Sequence, residues 1–232
     1  MSTKKAKKTQ QYDEYWKLTV EYTNIFGAQF NNTLKVIVKY IDDNTEKIND
    51  FNLNKYKEKD KVEKNKWQEL YKNLQKAIFE VYHKADFGSI RKSINQFVKL
   101  GFIFPYLKGY HKLAKKFLNT SASDKELKQS IFSEIFYDSA SFNSAITVDH
   151  TNNKEINFLL KTLMYHPDKK LSKSDIIALM VTDLSAFPKG YLTVDELNSQ
   201  YLYSQAIDFE DNKYNQIHYM FTFLNLMPDL TA

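Results

Sequence analysis

Side chains that could pair with nucleic-acid bases are concentrated in one short stretch, from Ser89 to Lys99. Arg91, the single arginine of the chain, can donate two hydrogen bonds to a guanine. Asn95 and Gln96 can each pair a donor and an acceptor with an adenine. Lysines in the same stretch can neutralise phosphate without recognising a sequence. The chemistry that this stretch predicts is therefore noncovalent recognition of DNA.

A short helix must position these side chains, and the sequence contains a residue suited to begin it and another suited to end it. Ser89 can cap its N-terminus, and Gly101 suits the left-handed position that follows its C-terminus. Between them, Ile90, Ile94 and Phe97 recur at the spacing of one buried stripe.

The opposite face of this helix is expected to project from the protein. At about 100° per residue, the residues predicted there are Lys92, Asn95, Gln96 and Lys99, with Arg91 at the edge. The alternative interpretation is an ordinary amphipathic surface helix in a lysine-rich protein.

The sequence contains no convincing catalytic motif. Pro167-Asp168 and Asp211-Asn212-Lys213 match the letters of a Mg²⁺-dependent nuclease site, but one lies in a polar loop and the other opens a helix. His150 and His166 lie too close in sequence for a His-Asn-His nuclease, and no cysteines support them. We therefore predict no catalytic and no metal-binding residues in this segment, and leave open a self-contained nuclease that would use Asp168 or His150.

The amino-acid composition limits the classes of protein to which this chain can belong. The chain has 232 residues, 43% of them hydrophobic, which is enough for one large or two small domains. It contains no cysteine, no long uncharged apolar run and no apolar segment near its N-terminus. These absences predict a cytoplasmic protein without a transmembrane helix, a secretory signal or a disulfide framework.

Charge is unevenly divided along the chain. Residues 1–128 contain 25 Lys and one Arg against 15 acidic residues, a net charge of +11, whereas residues 129–232 contain 7 Lys against 13 acidic residues, a net charge of −6. Such asymmetry favours one half that faces nucleic acid and another that faces something else. The excess of Lys over Arg also suggests AT-biased coding. The lysine content alone is therefore weak evidence for DNA binding.

Apolar periodicity predicts a mainly helical chain. One or two long helices are expected from Tyr12 to about Ile41, a loop or frayed link over Asp42–Asp60, and the clearest long helix over Lys61–Lys84. A four-residue turn, Ala85–Gly88, then leads to the Ser89 helix. A short apolar strand follows at Phe102–Pro105.

A basic helix is predicted next, over Tyr106–Asn119, where Lys108 and Lys112 could contact phosphates beside the groove. Capping-box sequences at Ser123–Glu126 and Thr193–Glu196 predict two further helix starts. Between them, a helix is expected over Glu155–Tyr165 and another over Ser172–Leu184. The last of these, with the Thr193 helix and a third helix after Asp211, suggests a second helix-turn-helix unit.

The sequence Val98-Lys-Leu-Gly-Phe-Ile103 resembles the end of the recognition helix in winged-helix proteins. The resemblance covers about 40 residues and continues into the predicted strand as a winged helix does. The tandem, aromatic-rich arrangement further resembles the DNA-recognition region of type II restriction endonucleases of bacteria or phages. That resemblance implies a separate nuclease domain, outside this segment, that would use Mg²⁺.

We therefore expect a mainly α fold, helix-rich, with winged helix-turn-helix units and a few short strands. A basic disordered arm is predicted at 1–11, a basic helical domain with the winged-helix unit at 12–122, and an acidic helical domain with a candidate second unit at 123–232. The expected function is sequence-specific binding of double-stranded DNA as the recognition portion of a restriction endonuclease. A homodimer or an attached nuclease domain would use the acidic half.

Two alternatives stay open: a dimeric winged-helix transcriptional regulator, and a helical protein-interaction module without DNA binding. The residues predicted to contact DNA are Ser89, Arg91, Lys92, Asn95, Gln96, Lys99, Lys108 and Lys112.

Overall fold

The computed structural model describes residues 16, 20–81, 87–142, 154–207, 209 and 216–227. Within these ranges the chain is mainly helical, as predicted, and its strand content is limited to one isolated bridge. The helices are α1 Ala28–Asp43, α2 Thr45–Asp50, α3 Leu53–Lys57, α4 Lys61–Val81, α5 Phe87–Lys99, α6 Ala114–Asn119, α7 Lys125–Ser139, α8 Lys154–Tyr165, α9 Lys173–Met180, α10 Val194–Ala206 and α11 Gln216–Leu224. No helix in the described ranges combines the length and the apolar character needed to cross a bilayer.

Helices α1 and α4 pack against each other, and α5 packs against both. One face of α1 is buried, from Phe30 to Ile41, and it packs against the buried stripe of α4 that contains Leu70 and Leu74. The Tyr40 hydroxyl donates to the Leu70 carbonyl at 2.8 Å and joins the two helices. The long helix predicted over Lys61–Lys84 is thus confirmed as far as Val81, and the residues 82–84 lie outside the described ranges.

The segment before α1 is not the helix that periodicity predicts. Residues 20–27 are irregular, and α1 begins only after Gly27. Tyr22 and Ile25 are buried in the core, so the aromatic pattern of this segment reflects burial without helix formation. Conversely, the predicted link Asp42–Asp60 contains two short helices, α2 and α3.

Helix α5 includes Phe87, three residues before the first helical residue that a cap at Ser89 predicts, so Ser89 lies inside the helix. Its C-terminus is as expected: Gly101 has a φ of +85°, in the left-handed region. The Phe102 amide donates to the Phe97 carbonyl at 3.0 Å, and the Gly101 amide donates to the Val98 carbonyl at 3.1 Å. This pair of bonds is a Schellman motif, which satisfies carbonyls that a helix end would leave without partners.

The chain after Gly101 forms a small hairpin instead of the predicted wing strand. One antiparallel bridge joins Ile103 to Tyr110, and a 3₁₀ turn occupies Pro105–Leu107. The helix predicted over Tyr106–Asn119 is therefore wrong for its first half, and only α6 is helical. Tyr106 and Leu107 adopt a φ of 58° and are buried, so packing of these side chains overrides the local helical pattern.

Aromatic contacts continue across the boundary between the basic and the acidic halves. The Phe102 ring lies 5.0 Å from the Phe117 ring and 6.0 Å from the Phe132 ring, which in turn lies 6.2 Å from the Phe223 ring. In addition, the Trp16 amide donates to the Met180 carbonyl at 2.9 Å. The hydrophobic core thus contains residues of both halves.

The capping signals of the acidic half mark helix starts. Thr193 and Glu196 form the predicted capping box at the start of α10, and Ser172 and Asp175 form another at the start of α9. At α7 the cap is one residue later than predicted, at Asp124, whose carboxylate accepts from the Leu127 amide at 3.3 Å.

Several expectations lie outside the described residues. These are the basic arm, most of the turn before α5, the strand and turn predicted between Phe142 and Asn153, and the cap at Asp211. The helices α9, α10 and α11 occur in the order expected for a second unit, but the described residues contain no wing strand that would make either unit a winged helix.

Gly101 offers a direct test of how α5 ends. A Cβ atom at this position would lie 2.7 Å from the Ser139 carbonyl carbon and 2.9 Å from the Ala140 nitrogen. Backbone atoms cannot move aside easily, and a positive φ is unfavourable for alanine. We expect Gly101→Ala to lower the free energy of unfolding by about 3 kcal/mol, as measured by urea denaturation.

Gly190→Ala is the matched control. Gly190 has a similar φ of +82°, but its added Cβ would meet only the flexible end of Lys161, at 3.3 Å. The expected loss is about 1 kcal/mol. Equal losses in the two variants would contradict the close backbone packing at Gly101.

Candidate nucleic-acid interface

The two halves of α5 differ in exposure. In the N-terminal half, Arg91 and Lys92 are exposed, and Asn95, about one turn later on the same side of the helix, is half-buried. From Gln96 to Leu100, at and just after the C-terminal end, every residue is buried. The predicted outer face is therefore exposed at Lys92 and partly exposed at Asn95, and the prediction is wrong for Gln96 and Lys99.

Gln96 is a structural clamp. Its Oε1 accepts hydrogen bonds from the Glu21 amide at 2.7 Å and from the Tyr22 amide at 2.8 Å, while its Nε2 donates to the Tyr22 carbonyl at 2.6 Å. The carboxamide thus satisfies three backbone groups of the irregular segment before α1. Its side chain is completely buried, so it cannot reach a base.

The same contact extends to a second polar side chain of α5. The Ser93 and Tyr22 hydroxyls lie within hydrogen-bond distance of each other, at 2.9 Å, and the Tyr22 hydroxyl also lies 3.1 Å from the Thr33 hydroxyl. This side of α5 faces the segment before α1, whereas Ile94 and Phe97 face the core. The helix therefore has two buried sides, one polar and one apolar, and a periodicity of apolar residues identifies only the second.

Lys99 is buried because the segment after α7 covers the C-terminal end of α5. The Ser141 amide donates to the Lys99 carbonyl at 2.9 Å, and only 3% of Lys99 is exposed. Helical periodicity places Lys99 on the outer side, but this covering segment is distant in sequence. Lys99 is thus not available to contact phosphate in this arrangement.

Lys108 is also engaged within the protein. Its ammonium donates to the Ile48 carbonyl at 2.9 Å and to the Phe51 carbonyl at 3.0 Å, near the C-terminal end of α2. Burial lowers the pKa of Lys108, and Glu63 offsets part of that shift. The predicted phosphate contact would compete with these two hydrogen bonds.

Lys112 is exposed. It follows His111, whose side chain links the hairpin to α7. The buried His111 accepts a hydrogen bond from the Leu113 amide on Nδ1, so that its Nε2 donates to Asp138 at 2.9 Å. Nearby, Lys115 pairs with Asp42 at 2.8 Å. Lys112 takes part in no ion pair among the described residues.

Arg91 and Lys92 are likewise outside the ion pairs of the described part of the chain. Arg91 lies near Tyr71 of α4: burial raises the pKa of Tyr71, and the positive charge of Arg91 partly opposes that rise. Ser89, half-buried, accepts a hydrogen bond from the Ser93 hydroxyl on its carbonyl. The predicted DNA contacts thus differ in their availability: Arg91, Lys92 and Lys112 are exposed, Ser89 and Asn95 are half-buried, and Gln96 and Lys99 are buried. Lys108 is exposed, but its ammonium donates to two backbone carbonyls.

No metal centre is formed within the described residues, where no three histidine or carboxylate side chains come together as ligands. Asp168 is exposed in a loop after α8, and His166 beside it is half-buried. Their predicted partners Asp211, Lys213 and His150 lie outside the described ranges.

No family model, curated protein or solved structure matches this chain. The candidate interface is therefore defined by its own geometry: one helix whose N-terminal half is exposed and basic and whose C-terminal half is fixed in the core.

Gln96→Ala should affect stability rather than recognition. It removes three hydrogen bonds and leaves the amides of Glu21 and Tyr22 and the Tyr22 carbonyl without those partners. We expect the free energy of unfolding to fall by about 3 kcal/mol, measured by urea denaturation. Lys92→Ala, on the exposed side of the same helix, should change it by less than about 0.5 kcal/mol. A Gln96→Ala variant as stable as the wild type would contradict the clamp.

Asp138 gives a pH-dependent test of the hairpin contact. Burial raises the pKa of Asp138, but hydrogen bonds from Ser139 and His111 and the electrostatic effect of His111 and Lys112 outweigh it, so the pKa is lower than its ordinary value. A lowered carboxyl pKa stabilises the fold above the unfolded-state value of about 4. That contribution is lost as the pH falls through the lower, folded-state value.

We therefore expect Asp138→Asn to be less stable than the wild type at pH 7, with the difference shrinking as the pH falls below about 4. Urea denaturation across this range measures it. Asp168→Asn, in an exposed loop, is the control. A difference for Asp138→Asn that did not depend on pH would show that the carboxylate charge has no part in the contact.

Proposed function

We propose that the chain binds double-stranded DNA through the solvent-facing side of α5. In this proposal Arg91 and Asn95 contact base edges, and Lys92 and Lys112 neutralise phosphates. The observation that carries the proposal is that the exposed Arg91 and Lys92 and the half-buried Asn95 lie on one side of a helix whose other sides are buried.

The position of the exposed side chains supports this function. In helix-turn-helix proteins the N-terminal residues of the recognition helix contact the bases. In α5, which follows the long helix α4, the exposed Arg91 and Lys92 likewise lie in the N-terminal half, and Asn95 follows Arg91 by about one turn. Arg91 can bind a guanine with two donors, and Asn95 can bind an adenine with a donor and an acceptor.

The rigidity of the scaffold also supports it. Side chains that recognise bases act best from an element that is itself fixed. The Gln96 clamp and the Schellman motif at Gly101 fix the C-terminal half of α5 from two directions. Binding can therefore occur without ordering the helix that makes the contacts.

The more specific proposal, that this is the recognition region of a restriction endonuclease with Mg²⁺-dependent cleavage elsewhere, depends on the resemblance of residues 98–103 to winged-helix proteins. The protein-facing role of the acidic half is a proposal of the same kind. If the DNA sequence that the protein selects is palindromic, a dimeric regulator is favoured instead.

The function can be tested with a pool of random duplex DNA at about 0.15 M salt, where non-specific binding is weak. We expect retained duplexes to share a short motif. Arg91→Ala should weaken binding to that motif by about 1–3 kcal/mol and relax the preference at one base pair.

Lys92→Ala provides the comparison within α5. It should weaken binding to all sequences and reduce the slope of log affinity against log salt by about 0.9, without changing base preference. Retention without an enriched motif would restrict the function to phosphate binding. A protein that retains no duplex, or an Arg91→Ala variant that binds like the wild type, would overturn the proposal.

A further inference from the structure

Two tyrosine rings stack on each other at the surface of the acidic half, far along the chain from α5. Tyr165, the last residue of α8, and Tyr191, just before α10, have ring centroids 4.2 Å apart and planes inclined by 16°. Although one face of the Tyr165 ring is covered by Tyr191, 62% of the residue is exposed. The other face of the Tyr165 ring is therefore open to solvent.

Lys189 covers the face of the Tyr191 ring that is turned away from Tyr165. The Lys189 ammonium lies over the Tyr191 ring, 5.0 Å from its centroid. A gap of 4.2 Å between the two rings leaves no room for an ammonium group, so Lys189 occupies the face of Tyr191 away from Tyr165. Lys189 also pairs with Glu196 at 2.5 Å, and Glu196 belongs to the capping box that begins α10. The open Tyr165 ring is thus the outer layer of an ordered stack.

Positive charge surrounds this stack, in a half of the protein that is acidic overall. Residues 161–191 contain five lysines and three aspartates. Lys161 lies beside Gly190, next to Tyr191, and the Lys169 ammonium donates to the Met164 carbonyl, next to Tyr165.

The carboxylates of this region are for the most part engaged. Asp175 and Asp183 cap helical turns through Ser172 and Ser185, whereas Asp168 is exposed in the same loop as Lys169 and Lys170. Asp168 and Asp183 are both exposed, but the Asp183 carboxylate accepts hydrogen bonds from Ser185. Among the described residues of 161–191, the lysines therefore outnumber the exposed aspartates, and the net charge of this region is positive.

We propose that this surface, the Tyr165–Tyr191 stack with Lys161, Lys169 and Lys170, binds single-stranded nucleic acid by stacking an unpaired base on Tyr165. Aromatic rings beside lysines are the combination by which proteins bind unpaired strands, because every base has a π-face and every nucleotide carries a phosphate. A neutral sugar would use the ring but not the lysines, and an acidic peptide would use the lysines but not an open ring. The site is separate from the duplex contact proposed for α5 and does not depend on it.

The experiment measures binding of a fluorescent eight-nucleotide oligothymidylate to the full chain by anisotropy, beside an abasic oligonucleotide of equal length. We expect Tyr165→Ala to weaken oligothymidylate binding by at least about fivefold and to leave abasic binding unchanged. Tyr165→Phe keeps an aromatic face and should bind within about twofold of the wild type. Tyr203→Ala, which removes another exposed tyrosine, should have no effect.

Two further variants separate this site from α5. Lys170→Ala should reduce the salt slope for both oligonucleotides by about 0.7, and Arg91→Ala should leave both affinities unchanged. The proposal is overturned if Tyr165→Ala binds oligothymidylate like the wild type, or if it weakens the abasic strand equally. Absence of oligothymidylate binding by the wild type would also overturn it. Circular dichroism of each variant verifies that the helices are retained.

Discussion

The hydrogen bonds of one buried carboxamide, that of Gln96, determine how α5 sits in the protein. An irregular backbone segment cannot be buried unless its amide and carbonyl groups find partners. Gln96 provides both an acceptor and a donor to Glu21 and Tyr22, as an adjacent strand would. Because of this contact the segment before α1 can enter the core without being helical, and the rotation of α5 about its own axis is fixed.

The fixed rotation decides which side chains of α5 meet solvent. With Ile90, Ile94 and Phe97 in the core and Gln96 against the segment before α1, the outward side is left to Arg91, Lys92 and Asn95. The segment after α7 then covers the C-terminal end, which removes Lys99 from the surface. The exposed basic area is consequently smaller than the helix itself and is confined to its N-terminal half.

Lysines in this protein have several physical roles, and a net charge of +5 says little about which lysines are available to a ligand. Lys108 and Lys128 donate to carbonyls at or beside the ends of α2 and α6, and burial lowers the pKa of both. Lys115 and Lys189 pair with carboxylates and also lie over tyrosine rings. Several lysines of this sequence thus make hydrogen bonds or ion pairs within the protein. The lysines that do not are the ones available to bind a ligand.

The sequence by itself determined the helical class, the long helix from Lys61, the Gly101 end of α5 and the capping box at Thr193, because each depends on interactions within one or two turns of chain. It also determined which residue types could recognise a base. Only the tertiary structure decided the environment of Gln96, Lys99 and Lys108, since their partners lie 42 to 75 residues away along the chain. The same is true of the hairpin that pairs Ile103 with Tyr110 and of the Tyr165–Tyr191 stack. Periodicity reports one apolar side of a helix, and it cannot report a polar side that is buried against a distant segment.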